Sequence, residues 1–198
     1  MIRYPPRVAI DAILTTMMSE RRADPAGSNA DILHFWGFAR TDSPTTHDMA
    51  HTTIVLDADA ERSPILESAQ WLMQRLSGRL WGFGLAYWTV GEMFTGRDGV
   101  PREAIDAAIA GQLLERAGAH EVCAATIFDA RGRSYTSMTY AHLPELGQSP
   151  TGVDDTRGCV DTWIDLFDRR AATAHAWAAA ITLDPDGNRA TLARLRAS

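Results

Sequence analysis

Two histidines four residues apart, His47 and His51, have the spacing in this sequence that most resembles a metal-binding pair. On a helix, an H-x-x-x-H pair presents both imidazoles to one ion. Here Asp48 follows the first histidine, where the catalytic form of the motif has glutamate. The flanking threonines favour loop and strand, and strand positions four apart lie about 13 Å apart. We predict no metal site and no cofactor, and His47 and His51 are the candidate ligands should a metal bind.

Cys159 is the candidate nucleophile of the chain. It lies near the predicted start of a helix, after Arg157, where the helix dipole and a cation would lower the pKa of its thiol. His175 is the histidine nearest to it in sequence, so these two residues are the candidates for catalysis. No cysteine-protease signature surrounds Cys159, and a buried cysteine without chemistry is the default interpretation. Cys123, inside an apolar strand, is predicted to belong to the core.

The chain has no lysine, because all 19 of its basic residues are arginine. Schiff-base catalysis and a P-loop lysine are therefore excluded. The sequence also has no nucleophile-elbow, zinc-ribbon or kinase signature, and Gly82-x-Gly84 lacks the third glycine and following helix of a nucleotide loop. These absences favour a protein that is not an enzyme.

Two sets of residues are candidates for binding. Three aspartates fall within one sector of a predicted helix, where a solvated flank is the default and recognition of a basic partner is the functional alternative. Aromatic residues of the strand 80–90 form the second set, with core packing as the default and a binding surface as the alternative. The candidates are Asp161, Asp165, Asp168, Trp81, Tyr87 and Trp88.

Arginines near a predicted hairpin tip are candidates for contacting phosphate. Arg131 and Arg133 stand beside hydroxyl-bearing residues there, and Arg189, Arg194 and Arg196 would extend a basic patch if they shared its face. The net charge of −6 argues against nucleic acid as the main partner, because binding requires a basic surface that releases counterions.

The elements that must position these residues follow from hydrophobic periodicity and turn signals. The patterns predict helices over about 7–22, 63–76 and 101–117 and a fourth after residue 156. They predict strands over 33–39, 51–57 and 80–90, a hairpin over 122–140 that turns at 129–132, and a second hairpin around 184–188. Residues 189–196 fit either a return strand or a short helix. The fold is therefore predicted as α+β, a mostly antiparallel sheet with about four helices packed on it, in a single domain over 1–198.

The strand 80–90 has two unlike faces. Strict alternation puts Trp81, Phe83, Leu85 and Tyr87 on one face. The opposite face carries Gly82, Gly84, Ala86 and Trp88, and it is nearly bare until the tryptophan. A bare face lets a helix, a neighbouring backbone or a ligand approach unusually closely.

The function predicted from these observations is that of a non-enzymatic interaction or accessory protein. It would bind a protein partner, or a second copy of itself, through an acidic or aromatic surface. The alternatives are an enzyme or small-molecule binder with a pocket over the small face of the strand 80–90, and a nucleic-acid binder that uses the arginines. The lack of a long apolar segment or signal sequence, and of a disulfide framework, predicts a cytoplasmic protein away from the membrane. The segments at 37–40, 52–57 and 82–94 resemble small proteins of high-GC actinobacteria and their phages, a resemblance that implies no function.

Overall fold

The structure, a computed structural model, describes residues 4–40, 47–55, 63–76, 79–92, 101–110, 112–143 and 147–155. These ranges contain α1 (Arg7–Ala23), α2 (Ser63–Arg75) and α3 (Arg102–Ile109), and a short 3-10 helix, Leu113–Glu115. The strands are β1 (Ile32–Arg40), β2 (His47–Val55), β3 (Arg79–Glu92), β4 (Ala119–Asp129), β5 (Arg133–Tyr140) and β6 (Gly152–Asp155).

The six strands form one antiparallel sheet in the order β2-β1-β3-β4-β5-β6. One hydrophobic cluster joins α1 to one face of this sheet, and a second cluster joins α2 to the other face. The prediction of an α+β fold built on a mostly antiparallel sheet is confirmed. The described residues contain three α-helices rather than the four predicted, because the predicted fourth helix and the second hairpin lie outside the described ranges. None of the described helices is both long and apolar enough to cross a membrane.

Helix α1 packs through the apolar stripe that its sequence predicts. The side chains of this stripe are all buried: Ile10, Ile13, Leu14, Met17 and Met18. They meet aromatic residues of β1 and β3 and apolar residues of β4. On the opposite face, α2 contributes Ala69 and Leu72, and Leu76 follows directly after it, in a core with Phe35 and Phe83. Because both faces of the central strands are covered, these strands are apolar on both sides.

The bare face of β3 is the contact surface of α1. A Cβ atom added to Gly84 would lie 2.8 Å from Cε of Met17, 2.8 Å from the carbonyl oxygen of Thr126 and 3.0 Å from the ring of Phe38. No side chain fits there without displacing backbone. Of the three occupants that the sequence allowed above Gly84, the structure therefore has a helix, together with a ring from the neighbouring strand.

The predicted position of Trp81 on the face of Phe83 is wrong. Phe38 of β1 pairs with Gly82 and Ala39 pairs with Leu80, so Trp81 is an extra residue in β3. Such a β-bulge reverses the alternation of side chains beyond it. Trp81 consequently packs in the α1 cluster, with its ring centroid 5.1 Å from that of Phe38.

Two element boundaries and one further strand also differ from the predictions. Strand β2 begins at His47, four residues early, because Arg40 of β1 pairs with His47 and the ladder extends into a polar segment. Helix α3 ends at Ile109, and the backbone N–H of Gln112 donates to the carbonyl of Ala107 beyond its end. Strand β6 was not predicted, and it forms by pairing with β5.

Arg21, near the end of α1, is fully buried and organises the connection to β1. Its guanidinium donates to the carbonyl oxygens of Gly27 (2.8 Å), Asn29 (2.7 Å) and Ile32 (3.1 Å). Burial lowers the pKa of this arginine from its ordinary value, while the nearby carboxylate of Asp24 opposes that shift. The side chain thus supplies charge-assisted hydrogen bonds to three backbone acceptors of the connection.

Replacing Gly84 with alanine tests the close approach of α1 to β3. We expect Gly84→Ala to lower the free energy of unfolding by about 2 kcal/mol, because the added methyl meets a backbone carbonyl that cannot move freely. Urea denaturation measures the change. Gly152→Ala is the matched control, since a Cβ added there would lie 3.8 Å from the carbonyl oxygen of Thr136. Equal stability of the Gly84→Ala variant and the wild type would contradict the packing described.

Arg21→Met tests the buried guanidinium. We expect a loss of at least about 3 kcal/mol in the free energy of unfolding, because three main-chain carbonyls lose the same charged donor. The control is Arg22→Met at the adjacent exposed position, with an expected change within about 0.5 kcal/mol. Both variants are compared by urea denaturation. Similar losses at positions 21 and 22 would show that the three hydrogen bonds contribute little.

Candidate functional site

The predicted aromatic binding residues lie in the core of the protein. Trp81, Tyr87 and Trp88 are 0%, 5% and 9% exposed. Burial raises the pKa of the Tyr87 hydroxyl, which also interacts with Thr126. The other predicted residues, namely Asp161, Asp165, Asp168, Cys159 and His175, lie outside the described ranges, as do the arginines at 189, 194 and 196. Cys123 is buried as predicted, and burial raises the pKa of its thiol to about 11, which leaves it protonated and unreactive.

His47 and His51 lie on β2, on the side of the sheet that carries α1. The ring of His51 stacks on that of His34, with 4.6 Å between centroids, and lies tilted by 30° against Trp36 at 4.3 Å. The ring of His47 instead meets Trp81 edge-on at 5.8 Å. Among the described residues, no group of three or more His, Cys, Asp or Glu side chains is arranged to hold a metal ion.

His34 forms a buried pair with Asp24 that sequence reasoning missed. Its Nε2 lies 2.7 Å from a carboxylate oxygen of Asp24, and the hydrogen bond lowers the pKa of that carboxyl. The carboxylate accepts, so Nε2 carries a proton, while Nδ1 is buried without a hydrogen-bond partner. With only 3% of His34 exposed, the arrangement orients an imidazole but does not present it to solvent.

A groove on the molecular surface runs between the start of α1, the turn before β5 and strand β6. It has a volume of about 380 Å³, within the range of ligand-binding clefts. All the charged residues among its lining are arginines, and the others are apolar or aromatic. The lining residues, which define the arginine groove, are Pro5, Pro6, Arg7, Ile10, Arg131, Arg133, Tyr135 and Val153.

The buried carboxylate of Asp129 shapes one wall of the arginine groove. One of its oxygens accepts from the backbone N–H groups of Arg131 (2.9 Å) and Arg133 (3.1 Å). The other accepts from Nε of Arg131 (2.8 Å), from its Nη2 (2.5 Å) and from the Tyr135 hydroxyl (3.1 Å). Gly132, with φ of 82°, completes the turn, whose three-residue loop with a final left-handed glycine is common in hairpins.

Arg131 is held in one conformation by contacts on several sides. Besides Asp129, its Nη2 meets the Tyr135 hydroxyl at 2.7 Å, and its guanidinium carbon lies 4.1 Å from the ring centroid of Tyr4. Burial alone would lower the pKa of Arg131, but the hydrogen bond and charge of Asp129 raise it overall. Burial and the Asp129 charge likewise raise the pKa of Tyr135. Both groups therefore keep their protons at neutral pH.

Arg7 forms the opposite wall and connects α1 to the segment before β6. Its Nε lies 3.1 Å from a carboxylate oxygen of Asp11, and its Nη2 donates to the carbonyl of Thr151. The Thr151 hydroxyl donates to the same aspartate at 2.6 Å. Of the groove, the sequence indicated only Arg131, Arg133 and their hydroxyl neighbours. It gave no signal that Arg7 and Val153 would join them, because Arg7 arrives through the packing of α1 and Val153 through the pairing of β6 with β5.

Acidification tests the neutral histidines of β2. Burial lowers the pKa of His51 and His47, and for His51 the nearby His34 adds to this effect, while Glu20 and Asp24 oppose it. An unfolded histidine gains its proton near pH 6.5 while the folded one resists, so stability is complete above that pH and falls below it. We expect the urea midpoint to decrease from about pH 7.5 to about pH 5.5, and His51→Phe to reduce this decrease.

The matched control is His142→Phe, at a position whose side chain is 78% exposed. It should leave the pH dependence of the urea midpoint unchanged, because folding does not bury this side chain. An identical pH dependence for the wild type and His51→Phe would contradict the assignment to His51.

Comparison with protein-family models, curated proteins and solved structures gives no match to this chain. The function of the arginine groove therefore has to follow from the chemistry of its own side chains. It combines two immobilised guanidinium groups, an exposed third arginine, a phenol and an apolar floor. This arrangement is suited to binding, and none of the described side chains that line it is an ordinary nucleophile or general base at neutral pH.

Proposed function

We propose that the protein is a non-enzymatic interaction protein that binds a segment of a partner protein in the arginine groove. The observation that carries the proposal is the convergence of Arg7, Arg131 and Arg133 with exposed apolar surface in one concavity of a chain with a net charge of −6. Arginine and tyrosine are the residues that contribute most often to binding energy at protein interfaces.

Rigidity of the groove supports binding of a partner. Arg131 is fixed by Asp129, Tyr135 and Tyr4, so little side-chain entropy remains to be lost on association. Arg7 is similarly restrained by Asp11 and Thr151. A surface that is ordered before binding loses less free energy when a partner docks.

The alternative functions receive less support from the described side chains. A pocket over the small face of the strand 80–90 would need the space above Gly84, which Met17 and Phe38 fill. Nucleic-acid binding would need further unneutralised arginines, and those predicted to supply them lie outside the described ranges. Self-association and the acidic surface of Asp161, Asp165 and Asp168 stay predictions.

Photo-crosslinking from the groove tests the proposed function. A benzophenone amino acid placed at Val153, which is 43% exposed, should give a discrete covalent adduct with another protein in cells of the native host. Introducing Arg133→Glu in the same chain should reduce the adduct at least about tenfold, as expected for loss of a charge-assisted contact.

Two matched controls test whether the adduct is specific to the arginine groove. The same photoreactive residue at Ile105, an exposed apolar position on α3, should not give that adduct. Arg102→Glu, at a side chain that is 92% exposed, should leave the Val153 adduct unchanged. An adduct only with a second copy of this chain, or no adduct from Val153, would overturn binding of a partner protein at the groove.

A further inference from the structure

We propose that the arginine groove recognises a single acidic side chain flanked by aliphatic side chains, in an extended segment of the partner protein. This inference rests on the proposed function and adds the chemistry of what is bound. It follows from the charge of the lining, from the ion pairs that already neutralise part of that charge, and from the apolar surface beside it.

The charged groups lining the groove all have the same sign. Among the residues that the structure describes, its charged lining residues are Arg7, Arg131 and Arg133. The carboxylate of Asp129 is fully buried beneath them and accepts hydrogen bonds on both oxygens, so it is not available to attract a cation. An incoming ligand therefore meets guanidinium groups, whose planar donors match the geometry of a carboxylate.

Existing ion pairs limit how much negative charge the groove can bind. Among the described side chains, Asp11 pairs with Arg7 and Asp129 pairs with Arg131. Counted over the described side chains, three arginines and two paired aspartates leave one net positive charge along the groove. That balance suits one carboxylate close to Arg133, whose side chain is exposed, and it does not suit a polyanion such as nucleic acid.

The remainder of the lining is apolar and extends beside the arginines. Pro5, Pro6 and Ile10 form one side, and Val153 is an exposed aliphatic residue on the other. Burial of such surface contributes about 25 cal/mol per Å², so aliphatic groups adjacent to the carboxylate would add to affinity. A volume of about 380 Å³ holds a short extended segment rather than a folded surface.

A random peptide library displayed on phage and panned on the purified full-length chain tests this specificity. We expect selected peptides to be enriched in one glutamate or aspartate next to aliphatic residues. Synthetic peptides of the selected sequence, carrying glutamate, glutamine or lysine at that position, are then compared by fluorescence anisotropy. The glutamate peptide should bind at least about tenfold more tightly than the glutamine peptide.

Charge reversal distinguishes recognition from a structural role of the arginine. Arg133→Glu should reverse the preference from the glutamate to the lysine peptide, whereas Arg133→Gln should abolish the preference without reversing it. Arg102→Glu, the exposed control, should keep the wild-type preference. Circular dichroism and urea denaturation verify that each variant is folded. An unchanged preference in folded Arg133→Glu would overturn the inference.

Salt dependence separates one carboxylate from a polyanion. Between about 50 and 200 mM salt, we expect less than tenfold loss of affinity for the glutamate peptide, whereas six to ten charge contacts would lose about a thousandfold or more. Selection of polyanionic peptides with that steep dependence, or of peptides without acidic residues, would overturn the inference. If either of these peptide selections is obtained but the Val153 adduct still forms, the proposed function stands and the inferred specificity fails. If acidic peptides bind but no partner is crosslinked, the proposed function fails while the specificity stands.

Discussion

The close approach of α1 to the central strand β3 is the constraint on which the rest of the structure depends. Gly84 has no side chain, and Met17 occupies the space that a Cβ would need. At about 1.5 Å per residue, the 17 residues of α1 extend roughly 25 Å across the sheet. One end of the helix therefore reaches the arginine groove through Arg7, and the other places Arg21 and Asp24 beside β1.

The arginine groove results largely from interactions that also stabilise the hairpin between β4 and β5. Asp129 binds the backbone N–H groups of the turn and, at the same time, the guanidinium of Arg131 and the hydroxyl of Tyr135. Hydrogen bonds on both oxygens offset the free energy that is required to bury this carboxylate. Loss of one partner would leave the buried charge without that compensation and would destabilise the fold. The position of the binding side chains is thus a consequence of the turn itself, which links stability and recognition at this end of the sheet.

Local sequence patterns predicted the elements whose residues interact mainly with near neighbours. The stripe from Ile10 to Met18 predicted α1, and the turn at 129–132 predicted the hairpin, because helix periodicity and turn chemistry are local properties. The reversal at Trp81 was not predictable, since the bulge depends on the register with β1. Likewise, His34 gave no sign of pairing with Asp24. The groove was predicted only on the side of Arg131 and Arg133, because its other wall comes from residues more than 100 positions away.

Arg21 has a consequence for how this chain can change in evolution. Its three acceptors are main-chain carbonyls of Gly27, Asn29 and Ile32. These hydrogen bonds therefore depend on the backbone path of the connection and not on most of its side chains. Many side chains between α1 and β1 can therefore be replaced, except where a left-handed glycine such as Gly27 is required. Insertions and deletions there would move the carbonyls away from the guanidinium. The length of this connection should stay constant while its composition drifts.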